Sequence, residues 1–278
     1  MKKSIVYLLG LLAIAFVSCQ KWSGEETGAA GPEIILGVEE DGLDFSTKAT
    51  AITALPSSLY WGATTGTSTE AAKWSSASAS VSSSRISTGK YQTSTPTAYN
   101  YYVSNVALSV GANTTVTASN TTDVICGRAA STSSTTPSVA LGHIFARTGT
   151  ISFTAPSGYT ASNVSYTIVG QSTINGTAGT YNLKTGAWTA ASTKLSTATA
   201  LTASSDMYLI PGTYTIKCTF TLTRGDFSKT YTQSGNVTLV QGKVNNITVT
   251  TASAEANQIV INLSLTAWAN NAISLTVS

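Results

Sequence analysis

The chain has 278 residues, 10% of them charged, and a formal net charge of +3, a balance that excludes a protein living on nucleic-acid phosphates. Ser and Thr number 38 and 47, while 42% of residues are hydrophobic. Thr favours strands, the helix-forming Glu, Lys and Leu are scarce, and the apolar content suffices for a core, so the composition argues for an all-β protein of one or two domains.

Along the chain, Met1-Lys2-Lys3 precedes an apolar run from Ile5 to Val17 that is too short for a comfortable membrane span, the pattern of a secretory signal peptide over residues 1–18. Cys19 follows a small residue at the end of that run and resembles the lipobox of bacterial lipoproteins. The resemblance implies cleavage before Cys19, acylation at Cys19, and a mature chain anchored to a membrane outside the cytoplasm. Residues 19–44 read as a lipidated, solvated tether: seven acids and one base fall between Gln20 and Asp44, against twelve bases and five acids from Phe45 onward. Its one apolar run is Ile34-Ile35-Leu36-Gly37-Val38.

Residues 45–136 are expected to form an N-terminal β-sandwich. Leu59 to Gly62, Tyr99 to Leu108 and Asp123 to Ala129 read as strands, Ser75 to Ser84 as strand or loop, and Ser131 to Pro137 as a polar loop near the domain boundary. Residues 137–278 are expected to form the C-terminal β-sandwich. Gly142 to Phe153 alternates His143, Phe145 and Arg147 against Ile144, Ala146 and Thr148; Tyr181 to Trp188 reads as a hairpin, and Tyr214 to Thr223 as an alternating strand turned by Arg224-Gly225-Asp226. After the polar linker Thr251 to Gln258, the alternation Ile259, Ile261, Leu263, Leu265 ends in Trp268. Such a tethered apolar strand can pair with its own sheet or with a neighbour's open edge.

No catalytic constellation emerges. The lone histidine, His143, lies within an alternating strand, the acids after Phe45 are isolated, and no glycine-rich phosphate loop opens a helix, so no enzyme is expected. With no CxxC and no His/Cys cluster, neither a metal site nor a cofactor is expected. Cys126 and Cys218 can form a bridge or remain as buried thiols. A surface glycan-binding lipoprotein is the alternative function, with Tyr60, Trp61, Trp74, Tyr91, Tyr99, Tyr101, Tyr102 and Trp188 as candidate sugar-stacking residues.

The ordered landmarks Thr47-Lys48-Ala49, Thr88-Gly89-Lys90-Tyr91, Tyr99-Asn100-Tyr101-Tyr102, His143-Ile144-Phe145-Ala146-Arg147, Pro211-Gly212-Thr213-Tyr214 and Leu265-Thr266-Ala267-Trp268, together with the lipobox, resemble the fimbrillin-like family of Bacteroidetes lipoprotein pilins and accessory fimbrial proteins. The resemblance implies two transthyretin-like β-sandwich domains in tandem and a structural subunit of an adhesive fimbria on the cell outer membrane. Its partners would be other fimbrial subunits, outer-membrane lipid through Cys19, and a processing protease. Lys48 stands where the family's cut usually follows Arg, so trypsin-like cleavage after Lys48 is expected. The cut would release the Ile34–Val38 strand from the rest of the chain, and a strand from another subunit would fill the groove. Ile259, Ile261, Leu263 and Leu265 are the candidate donor residues.

Overall fold

The computed structural model describes residues 31–40, 55–66, 70–202, 206–251, 259–267 and 272–273, and every regular element among them is a strand. The first half carries β1 (Glu33–Glu40), β2 (Ser58–Thr65), β3 (Ala72–Ser82), β4 (Arg85–Tyr91), β5 (Tyr99–Ser104), β6 (Leu108–Ser109), β7 (Thr115–Ser119), β8 (Ile125–Thr132) and β9 (Ser138–His143). Seven of these close into a barrel in the order β1-β4-β3-β2-β5-β8-β9. The second half carries β10 (Ala146–Thr154), β11 (Thr160–Gly170), β12 (Gly176–Asn182), β13 (Ala187–Lys194), β14 (Thr199–Leu201), β15 (Tyr208–Leu209), β16 (Gly212–Arg224), β17 (Phe227–Leu239), β18 (Lys243–Thr251), β19 (Ile259–Ala267) and β20 (Ala272–Ile273). Here the sheets β14-β11-β16-β17 and β15-β10-β18-β19-β20 enclose one core.

The abundance of threonine has a direct structural use. In β16 the even-numbered Tyr214, Ile216, Cys218, Phe220 and Leu222 are buried in the core. The odd-numbered positions face outward and meet β17 in hydroxyl pairs: Thr213 with Thr238 at 3.0 Å, Thr219 with Thr232 at 3.1 Å, Thr221 with Thr230 at 2.9 Å. Strand-favouring β-branched side chains thus serve the solvent face, and each pair ties the two strands together. Ser75 to Ser84, ambiguous in sequence, lies largely within β3.

A fourth sheet, β13-β12-β7-β6, joins the two halves, since β7 pairs antiparallel with β12 from Ala178↔Ser119 to Asn182↔Thr115. The polar stretch Ser131 to Pro137 leads from β8 into β9, and β9, beyond residue 136, pairs with both β8 and β1. The chain crosses to the second half at Ile144-Phe145. The alternation expected from Gly142 to Phe153 is interrupted there: β9 ends at His143, β10 begins at Ala146, and all residues from His143 to Thr148 are buried. The reason is that this segment is covered on both sides. Ile144 and Phe145 enter a third core with Tyr102, Val124, Tyr181 and Tyr208.

The polar residues of the crossing are buried with partners, as desolvation demands. His143 Nδ1 lies 2.8 Å from Asp123 Oδ1, and Arg147 grips the Asp206 carboxylate with two nitrogens, Nη2 at 2.7 Å. Burial disfavours the Arg147 charge, but the hydrogen bonds and charge of Asp206 outweigh it and hold the guanidinium pKa above its ordinary value. Asn245, fully buried in β18, donates to the Arg147 carbonyl at 3.0 Å and accepts from Val240 N at 3.0 Å, stitching β10 to the β17–β18 turn.

Cys126 and Cys218 are free thiols in different cores, which closes the question of a bridge between them. Burial pushes both thiols up, Cys218 to about 12. In a Cys19→Ser chain, neither is expected to react with an aromatic disulfide reagent at pH 8 until the protein is unfolded, when two equivalents should react. Rapid native labelling of either would contradict this packing.

Candidate strand-exchange site

The first strand among the described residues occupies an unusual place. β1 lies between β4 and β9, neither of which adjoins it in sequence, and closes the barrel by pairing antiparallel with one and parallel with the other. Its sequence explains the fit. Ile34, Leu36 and Val38 alternate with Glu33, Ile35, Gly37 and Glu39, and the first three are 0%, 0% and 2% exposed. They complete a core with Leu59, Ile86, Tyr101, Val139 and Leu141. Burying each such side chain is worth about 1.5–3 kcal/mol. The barrel interior therefore depends on a segment that precedes Lys48 in the chain.

Main-chain hydrogen bonds hold both edges of β1. Gly31 N donates to Gln92 O at 2.9 Å, Gln92 N to Pro32 O at 3.1 Å, Ile35 N to Thr135 O at 2.8 Å, Gly37 N to Pro137 O at 2.9 Å and Val38 N to Ser84 O at 2.9 Å. The N-terminal half is held by side chains as well. Glu33 lies opposite Tyr91 and Ile35 opposite Ser87, so β4 bulges between them, at Thr88-Gly89-Lys90. Gly89 takes the left-handed φ of +62° that the bulge requires. Thr88 Oγ1 donates to Ile34 O at 2.6 Å, and the Glu33 carboxylate accepts from Gly89 N at 3.1 Å and from the Ser87 hydroxyl. Gln92, itself buried, is braced by Nε2 donations to Thr97 O at 3.1 Å and Ser133 O at 3.0 Å.

The C-terminal half of β1 has a different character. Beside Gly37 opens a shallow recess of about 350 Å³, lined by Ile35, Glu39, Ser84, Arg85 and Ser138. Parallel pairing with β9 is confined to this half, from Gly37↔Ser138 to Glu40↔Leu141.

The other candidate strand sits in its own sheet. β19 pairs with β18 in unbroken register from Lys243↔Ala267 to Thr251↔Ile259. Leu265 is buried, and Ile261 and Leu263 are half-buried against the C-terminal core. β20 flanks it through Leu265↔Ile273. The backbone of Ile259 begins this ladder. Cys19, Lys48 and Trp268 lie outside the described residues.

Most of the candidate sugar-stacking aromatics are withdrawn from solvent. Trp61, Tyr99, Tyr101 and Tyr102 are buried, Trp74 and Trp188 are half-buried, and of those named Tyr91 alone is strongly exposed, at 42%. Trp61, Trp74, Tyr99 and Tyr101 form a chain of ring contacts 5.0–6.2 Å apart along the barrel. Burial raises the Tyr101 pKa to about 12, with a smaller contribution from Tyr99. The roles of Thr88 and Gln92 were invisible to periodicity; a glycine inside the Arg85–Tyr91 strand was the one available signal of the bulge.

An all-β protein with a barrel closed by an early strand inserted between sequence-distant neighbours is the class these features define. The family model described as fimbrillin-like matches residues 60–268, and the chain belongs to the fimbrillin-like family of fimbrial structural and accessory proteins. No curated protein matches it in sequence. Among solved structures it is similar to a candidate cell adhesion protein from Parabacteroides distasonis, with 12% identity, a TM-score of 0.53, and coverage of 87% of this chain and 98% of that one. A fimbrial protein from Bacteroides vulgatus matches at 13% identity and a TM-score of 0.47, covering 85% and 99%. The fimbrial anchor protein Mfa2 from Porphyromonas gingivalis matches at 8% and 0.35, covering 87% and 99%.

Leu36→Ala in the intact chain is expected to lower stability by about 2–5 kcal/mol, and outward-facing Ile35→Ala by much less. Denaturant titration of the two variants checks this; equal effects would contradict the inward alternation of β1.

Proposed function

We propose that the protein is a subunit of a cell-surface fimbria, built from two transthyretin-like units in tandem, exported as a lipoprotein through Cys19 and assembled at the outer membrane by strand exchange. The observation that carries the reading is the seating of β1: three buried side chains and two edges of main-chain hydrogen bonds close the barrel, in a segment that a single cut downstream would disconnect. Cleavage after Lys48 leaves β1 held without covalent linkage. Its departure opens a gap between β4 and β9 whose edges present unpaired main-chain groups and whose floor is apolar, the requirements for accepting an extended strand. The incoming strand must alternate apolar side chains at a period of two to refill the positions of Ile34, Leu36 and Val38. Ile259, Ile261, Leu263 and Leu265 supply that pattern, and β19 is the proposed donor to a neighbouring subunit. The resulting polymer supports adhesion.

Assembled material is expected to begin at Ala49 on N-terminal sequencing, and Lys48→Ala should leave the protein monomeric. Assembled material beginning at Cys19 would instead make the protein an uncleaved anchor or no polymer subunit.

Donation by β19 is tested by Ile261→Asn combined with Leu263→Asn. Lost oligomers with a nearly unchanged monomer melting curve support it. A loss of monomer stability above ~3 kcal/mol, the scale of large core truncations, assigns the strand to its own sandwich.

A further inference from the structure

The two halves of β1 are held by different means, and the difference gives the strand a direction of release. Over Gly31 to Ile35, side chains reinforce the ladder. The Thr88 hydroxyl is buried and donates to Ile34 O, while Lys90 N donates back to Thr88 Oγ1 at 3.1 Å, so one hydroxyl satisfies the bulge and fastens β1 at once. The Glu33 carboxylate reaches across to Ser87 and Gly89 on the same bulge. Gln92 adds two main-chain bonds from a braced position. Over Gly37 to Glu40, main-chain pairing with β9 and Ser84 holds the strand, the open recess flanks it, and Gly37 contributes no side chain. A glycine inside a strand also gains more freedom on release than any other residue.

We propose that the Thr88-Gly89 bulge of β4 is a latch on β1: release begins at Gly37–Glu40, and Thr88 with Glu33 sets the rate at which the strand leaves after cleavage. Thr88 and Glu33 are positioning residues in this scheme, holding the strand in the open-ended ladder rather than filling the core. The release role rests on the strand-exchange reading above; the unequal fastening of the strand does not, and the two are measured separately.

The fastening is read by amide hydrogen exchange in the intact chain. The Val38 amide should exchange faster than the Ile35 amide, although both are hydrogen-bonded, at 2.9 and 2.8 Å. Thr88→Val, which keeps the buried shape and removes the donor, should speed Ile35 exchange roughly 3- to 10-fold, the effect of one lost hydrogen bond. Thr88→Ser should restore it. Gly37→Ala is sterically permitted, since a Cβ there would meet nothing closer than 3.7 Å. It should slow Val38 exchange roughly 2- to 5-fold. Equal or reversed protection along β1, or an Ile35 rate unmoved by Thr88→Val, overturns the latch. The release role is then read in chain cut after Lys48, by the rate at which a labelled peptide spanning residues 31–44 replaces β1. Thr88→Val should accelerate replacement by the same factor and Gly37→Ala should slow it. If the exchange pattern holds but the cut wild-type chain never yields its strand, strand exchange itself is wrong and the release role falls with it.

Discussion

The first barrel depends on a single ladder in which β1 is gripped from both edges by strands remote from it in sequence. Remove that ladder and two consequences follow together. The apolar floor formed by Leu59, Ile86, Val139 and Leu141 loses its cover, and β4 and β9 become open edges. Full departure of the strand therefore costs hydrophobic burial and main-chain pairing together, which is not so for an ordinary edge strand. The parallel contact with β9 contributes to this, because a parallel neighbour cannot be supplied by a short hairpin and must come from a distant part of the chain or from another molecule.

The second half mixes long-range and local pairing. β10 lies parallel to the sequence-remote β18 from Arg147↔Val244 to Thr154↔Thr250, while β16 and β17 form a hairpin paired from Gly212↔Leu239 to Arg224↔Phe227, and β18 and β19 pair in unbroken register. Hairpin pairing of this kind forms readily. Near the crossing at Ile144-Phe145, His143 is hydrogen-bonded to Asp123, and the buried Arg147 guanidinium is paired with the partly exposed Asp206 carboxylate. Such pairs add little net stability when complete but penalise any arrangement that separates them, so they fix how the chain passes from one half to the other.

Much of this was legible from residue order. The alternation in Tyr214–Thr223 fixed both faces of β16, and Ile34 to Val38 stood out as the one apolar run in an acidic segment. What was not legible had physical causes. Around His143 to Thr148 alternation loses its meaning because both faces are covered, and periodicity reports burial on one side only. The barrel order, the β7–β12 pairing and the seating of β1 beside β9 are long-range choices that no local window encodes. Gly89 hinted at the bulge, but its extent was hidden because extra residues in one strand show themselves only against the partner.

The shared sheet carries a mechanical consequence. Because β7 belongs to the first half and β12 to the second, a pull that separates the halves must break the Ala178↔Ser119 to Asn182↔Thr115 ladder and expose the core around Tyr102, Phe145 and Tyr181 in the same event. No flexible joint intervenes at the crossing, where Ile144 and Phe145 are themselves buried. Tension entering at one half is thus handed to the other through that ladder and the core beneath it.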